Sequence, residues 1–445
     1  MSLKFVSLLA CAALCLCAQP AQKIFPYDYS QEDLPNGLRL ITVPTDYPNI
    51  VAVYIVVQTG SRNEIEPGLT GFAHLFEHLM FRGTPRISPQ QYNTTLNRMG
   101  AASNASTSDD FTVYHTTFSK EDLDTVLLME ADRFQHLKFA EPEFKTESLA
   151  VLGEYNKNSS SPFSKLNEAL HETAFQHHTY QHTTMGFLKD IQDMPNQYQY
   201  SLKFFDRYYR PEYTTIIVVG DVQPKAVRAM VDKYWADWKQ GNYHPDVPAE
   251  PPQEEARTKQ VDWPSPTLPI ITIAYKGPAY TDTGKDTVAL ETLADLAFSQ
   301  TSDLYQKLVV KEQKADSLFA GAPSERDPGL FNIGARVKKV EDMDYVRDQI
   351  LATVKQFQET PADASKLERI GKRLRYQLAL SMDNSDTIAA ILSQYVALRR
   401  TPDTLNMLFE QYQKLTPEDV QQAAAKYLTE KTRTIVTLTG PGGSK

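Results

Sequence analysis

Two stretches in opposite halves of this chain echo each other. Tyr208 followed by Thr215-Ile-Ile-Val-Val-Gly220 is answered by Tyr427 followed by Thr434-Ile-Val-Thr-Leu-Thr-Gly440. In the same way Ile270-Ile-Thr-Ile-Ala-Tyr275, with Gly277, answers the run from Val51 to Gly60. Residues 241–266 lie between the halves, rich in Pro and charge and without periodicity, and read as an interdomain linker. Strands and helices recur in the same order on either side. The expectation is an α+β protein of two homologous domains, 24–240 and 267–445, from one duplicated unit. Each would carry a mostly antiparallel sheet packed with helices on one face. A length of 445 residues gives both domains a full core.

Within the first half, Leu38–Val43 and Ile50–Val57 read as adjacent strands, and 104–118 as a strand region rich in Thr, Ser, Phe and Tyr. Residues 120–135, a segment from Glu141-Pro142 to about 156, and 224–238 carry helical patterns. The formal net charge is −9. No basic block points to nucleic acid and no polybasic patch to an anionic membrane.

One short segment carries chemistry. Gly71-Phe-Ala-His-Leu-Phe-Glu-His-Leu-Met-Phe81 has no helix breaker inside it. On a helix His74 and His78 share a face one turn apart, with Glu77 beside them. Two imidazoles so placed can hold zinc, with a carboxylate near enough to reach water at the metal. This His-x-x-Glu-His order inverts the commoner metalloprotease motif. Leu75, Phe76, Leu79, Met80 and Phe81 surround the histidines, and imidazoles buried on such a helix need partners. A third ligand must come from elsewhere. Glu147 and Glu154, seven apart and so on one helix face, are both candidates, and both could equally be solvated surface residues. Apolar Leu149, Val151 and Leu152 make a buried carboxylate at Glu154 reasonable.

The first residues fall outside this scheme. Met1-Ser-Leu-Lys4 and the apolar run to Ala18 have the length and charge of a signal peptide, residues 1–18, too short to span a bilayer. The protein is then expected to be secreted across the inner membrane, periplasmic or extracellular, with no transmembrane segment in the mature chain. Cys11, Cys15 and Cys17 all lie in that leader, so the mature chain has neither disulfides nor a thiol nucleophile. Leu16 stands where a bacterial lipoprotein signal has a small residue, which argues against a lipid anchor at Cys17.

The segment from Gly71 to Thr84 resembles the zinc-site stretch of the pitrilysin/insulinase family of metallopeptidases, which includes the mitochondrial processing peptidases. In that family a glutamate seventy-odd residues after the second histidine is the third ligand, the position of Glu154 in Val151-Leu-Gly-Glu-Tyr155. A further glutamate seven residues earlier, here Glu147, orients a ligand imidazole. Asn104-Ala105 is similar to the family's Asn-Ala on the edge strand that receives substrate. Tyr180–Gly186 matches a segment that usually reads His-Pro-Tyr, although Thr179 replaces the proline, and Tyr209-Arg-Pro211 through Asp221 matches the family's return strand. The resemblance implies half of a clam-shell chamber, one Zn2+ per chain held by His74, His78 and Glu154, Glu77 as the base, and peptide paired to Asn104 and Ala105 by strand addition. The family also includes chains that only shape a chamber.

One departure bears on partners. The family usually presents an arginine and, seven residues later, a tyrosine from the second domain. Here Val309 and Asp316 occupy those places, with Lys307 and Lys311 nearby. Neither can hold an oxyanion, since valine donates nothing and aspartate repels it. The pair is therefore expected from a homologous subunit, or the chain acts as a homodimer. A second histidine group, His171, His177, His178 and His182, reads as partly exposed loop residues rather than a second metal site.

Overall fold

The computed structural model describes residues 23–441, so the expected signal peptide and its cysteines lie outside the described residues. The first sheet has six strands: β1 (Ser30–Asp33), β2 (Arg39–Pro44), β3 (Ile50–Val57), β4 (Ala102–Thr107), β5 (Thr112–Ser119) and β6 (Thr214–Gly220). Their order is β1-β2-β6-β3-β5-β4. The second sheet has β7 (Arg257–Asp262), β8 (Ile270–Lys276), β9 (Ala315–Gly321), β10 (Leu330–Val337) and β11 (Arg433–Thr439), in the order β7-β11-β8-β10-β9.

The five strands of the second sheet follow the order of β2-β6-β3-β5-β4 in the first, and β1 has no counterpart among the described residues. β2 and β6 are parallel, as are β7 and β11, and the remaining pairs in both sheets are antiparallel. Each domain's helices cover one face of its own sheet. In the first domain Val51, Val53, Ile55 and Val57 pack against Phe72, Leu75, Phe76, Val126, Phe134 and Phe204. In the second, Ile271, Ile273 and Tyr275 pack against Leu290, Leu293, Val346 and Val420.

The opposite faces are closed by exchange. Ala52, Tyr54, Val56, Ile217 and Val219 of the first sheet meet Ile388, Ala389, Leu392 and Val396 of helix Ser385–Arg399, which belongs to the second half. Ile270, Ala274, Val436 and Leu438 of the second sheet meet Leu166, Leu170 and Ala174 of helix Pro162–Ala174 from the first half. β3 thus alternates between two buried faces, so an unbroken apolar run is what its position requires.

Three expectations change. β2 and β3 are not neighbours, because β6 lies between them. β6 is buried along its whole length, and a strand with no exposed side belongs in the middle of a sheet. Residues 104–118 are a hairpin, β4 and β5, turning at Ser108–Phe111. Residues 257–262, read as linker, form β7, the counterpart of β2. Only Val261 in Arg-Thr-Lys-Gln-Val-Asp is a strong strand former with an apolar side chain, so this polar edge strand shows no alternation in sequence. No helix among the described residues is long and apolar enough to cross a membrane.

Candidate metal centre

The motif helix runs from Phe72 to Leu79. Gly71 caps it at φ 89°, where a Cβ would meet the Met185 carbonyl oxygen at 2.8 Å, so both conformation and space call for glycine. The helix N-terminus is closed by Glu64, which accepts from the backbone N–H groups of Gly71 and Ala73, both at 2.7 Å. Glu64 is buried, and burial pushes its carboxyl up to about 8 against the pull of those donors. Phe76 anchors the other side of the helix, stacked on Phe204 at 5.2 Å and on Phe205 at 5.8 Å. The buried apolar face fixes how the remaining face is presented.

That face carries His74 and His78, their rings 4.9 Å apart. The Nε2 atoms of both lie 3.5 Å from Oε2 of Glu154 on helix Glu141–Asn158. Among the described residues, these three form the group whose ligand atoms come together closely enough to hold one metal ion, within 4.8 Å of one another. Two neutral imidazoles and a carboxylate leave a tetrahedral ion one open position. Burial, and next the neighbouring His78, push the His74 imidazole below its ordinary pKa, which favours the neutral form a ligand needs. The donor set therefore fits zinc.

The two candidate glutamates separate cleanly. Glu154 is 40% exposed and faces both imidazoles, whereas Glu147 is buried behind His78, its Oε2 3.4 Å from Nδ1. The burial expected for Glu154 belongs to Glu147 instead, and the Leu149 side chain turns to solvent. Arg82, one turn beyond His78, pairs with Glu147 and compensates its burial. Glu77 is partly exposed, and its Oε2 accepts from the Thr107 hydroxyl at 2.6 Å. Thr107 ends β4, the edge strand that also carries exposed Asn104 and buried Ala105. Among the described residues, no strand pairs with the outer edge of β4.

The second-domain residues stay within their own domain. Val309 packs on the second core, Asp316 accepts from Arg336 Nε at 2.7 Å, and Lys307 donates to Gln349. The histidine group differs from expectation. His177 is exposed and His171 partly so, but His178 and His182 are buried. His178 Nδ1 accepts from Tyr180 N at 3.0 Å and its Nε2 lies 2.9 Å from Asp327, so it fastens the two halves together. Glu64, Arg82 and Thr107 were not visible as site residues. Each acts through a partner distant in sequence or through a bond any polar residue could make.

Comparison with known proteins gives two family matches. Residues 39–187 match the family described as Insulinase (Peptidase family M16), and residues 197–374 match Peptidase M16 inactive domain. The zinc protease PqqE of Helicobacter pylori is 28% identical over 94% of this chain and 94% of its own length. A probable mitochondrial-processing peptidase subunit beta of Arabidopsis thaliana is 26% identical over 89% of this chain and 76% of its own. Among solved structures, a protease from Helicobacter pylori superposes with a TM-score of 0.87 at 28% identity, covering 93% of this chain and 99% of that one. The periplasmic protease PqqL of Escherichia coli shares the fold, with a TM-score of 0.73 at 17% identity, and this chain spans 48% of it.

Proposed function

The chain belongs to the insulinase family of peptidases, M16, and from that premise we propose that it is a secreted zinc endopeptidase acting on unfolded peptides. The observation that carries this is the convergence of His74, His78 and Glu154 with Glu77 on the same helix. His74 and His78 through Nε2, and Glu154 through a carboxylate oxygen, would hold one zinc per chain. When bound, zinc supplies a Lewis acid that acidifies water and polarises a carbonyl. Glu77, fixed at Oε2, takes the proton of the attacking water on its other oxygen and returns it to the leaving amine. Glu147, gripped by Arg82, orients His78 through Nδ1. The free edge of β4 around Asn104 and Ala105 pairs with an extended peptide backbone, which selects unfolded segments over folded proteins.

A second reading concerns assembly. No residue of the second domain pairs with Glu77 or Glu154 among the bonds of the described residues, and Val309 and Asp316 supply no oxyanion donor. We read the missing arginine and tyrosine as coming from a homologous subunit, with a homodimer as the alternative. The relative from Arabidopsis thaliana is itself named as a subunit. The deciding experiment measures zinc content and peptide cleavage by the mature chain alone and with its co-purifying partner. About one zinc per chain, removable by chelator, and cleavage that rises on mixing are expected. Zinc retained stoichiometrically by the His74→Ala, His78→Ala double variant would remove the site. Full activity of a strictly monomeric chain would remove the partner.

A further inference from the structure

The contact between Thr107 and Glu77 joins two parts of the site that the sequence keeps apart. We infer that Thr107 is a positioning residue that holds the Glu77 carboxylate in its working orientation and ties it to the strand on which the peptide docks. The inference rests on the peptidase reading above. Ser103, Ala105 and Thr107 share one face of β4, by the two-residue period of a strand. Ala105 is buried in the core that includes Phe72, Leu75 and Phe76 of the motif helix, so this face of β4 lies on that helix. Thr107 then reaches Glu77 Oε2 at 2.6 Å.

A glutamate side chain that is partly exposed has three rotatable bonds and no intrinsic preference for one carboxylate orientation. A short hydrogen bond to a carboxylate is among the stronger ones, and fixing Oε2 commits the remaining oxygen to proton transfer. Thr107 sits three residues beyond Asn104, on the same unpaired edge. A peptide that adds to this edge orders the very strand whose hydroxyl holds the base. Docking and orientation of the base are therefore coupled through one short segment. The competing account is that threonine is there for its strand-forming shape and the hydroxyl is incidental.

Valine separates the two, since it keeps the branched shape and strand preference and loses only the hydroxyl. In the zinc-loaded chain with its partner, Thr107→Val is expected to lower kcat about tenfold or more, with KM and zinc content unchanged. Thr107→Ser, which keeps the hydroxyl and loses the methyl, is expected to stay within about twofold of the wild type. A Thr107→Val variant with unchanged kcat, a loss confined to KM, loss of zinc, or a serine variant as impaired as the valine one would each overturn the inference. A wild type silent both alone and with its partner sinks the peptidase reading and this inference with it. An active wild type with an indifferent Thr107→Val sinks this inference alone.

Discussion

Glu77 and Glu154 are chemically the same residue and differ only in what surrounds them. Glu154 faces the Nε2 atoms of both histidines, whereas Glu77 is partly exposed and accepts from a hydroxyl donor. A ligand must bring a lone pair to the ion, and a base must keep one oxygen free for a proton. Replacing Glu77 by Gln keeps size and hydrogen bonding and removes the ability to take the proton. Zinc content and peptide binding should persist, and turnover should fall by about a thousandfold or more. Metal analysis, equilibrium peptide binding and single-turnover cleavage would check this, and near-normal hydrolysis would take Glu77 out of the mechanism. His74, Glu77 and His78 were legible in the sequence because helix geometry is local and a spacing of four residues fixes a shared face. Choosing Glu154 from two candidates needed a family resemblance, and the contacts of Glu147 with Arg82 and His78 needed the fold.

At the scale of elements, the helices Ser385–Arg399 and Pro162–Ala174 are the unexpected feature. Each closes the sheet of the domain to which it does not belong in sequence. Leu392 is fully buried against the first sheet, although it sits in the second half. Leu392→Ala should cost about 2–5 kcal/mol by loss of apolar contact and creation of a cavity. Because the helices are exchanged, that loss should lower a single unfolding transition seen alike by probes in both halves. Leu170→Ala, its reciprocal in the first half, should do the same. Calorimetry or urea unfolding showing two separate transitions, with Leu392→Ala moving only one, would contradict this coupling. The exchange was hidden because amphipathic patterning says that a face is buried and never against what.

The whole molecule is joined by charge as well as by apolar surface. Asp327 of the second half accepts from Arg62 and His178 of the first, and Arg326 N donates to Asp110 Oδ2 at 2.7 Å. Arg400, in the left-handed region at φ 57°, donates to the carbonyl oxygens of Gly37, Glu212 and Thr214. Burial disfavours the Asp327 charge, but the bonds from His178 and Arg62 outweigh it and hold the carboxyl well below the ordinary carboxylate range. An acid with a depressed pKa in the native state binds fewer protons there than in the unfolded chain. Its stabilisation is therefore present above about pH 4 and is lost as pH falls through and below that value. The midpoint of thermal unfolding should start to fall near about pH 5 and go on falling well below about pH 4, and Asp327→Asn should lower it at neutral pH while flattening that acid decline. A variant with the wild-type acid profile would show that the contact between halves does not report on this carboxylate.

The sequence by itself determined what rests on short-range geometry. The motif helix, its histidine face and the apolar runs of β3, β6 and β8 follow from patterns within a dozen residues, and the echo between halves pointed to a duplicated unit. The tertiary structure alone decided which strands meet, which half covers each sheet, and that Thr107 and Glu64 reach the motif helix. The physical reason is the same in each case. A strand's alternation or a helix's stripe fixes which side is buried, but the identity of the partner depends on shape and satisfied hydrogen bonds across distant segments. β7 shows the limit most plainly. Its polar residues carry almost no burial signal, and it becomes a strand because β11 offers it an unpaired backbone edge.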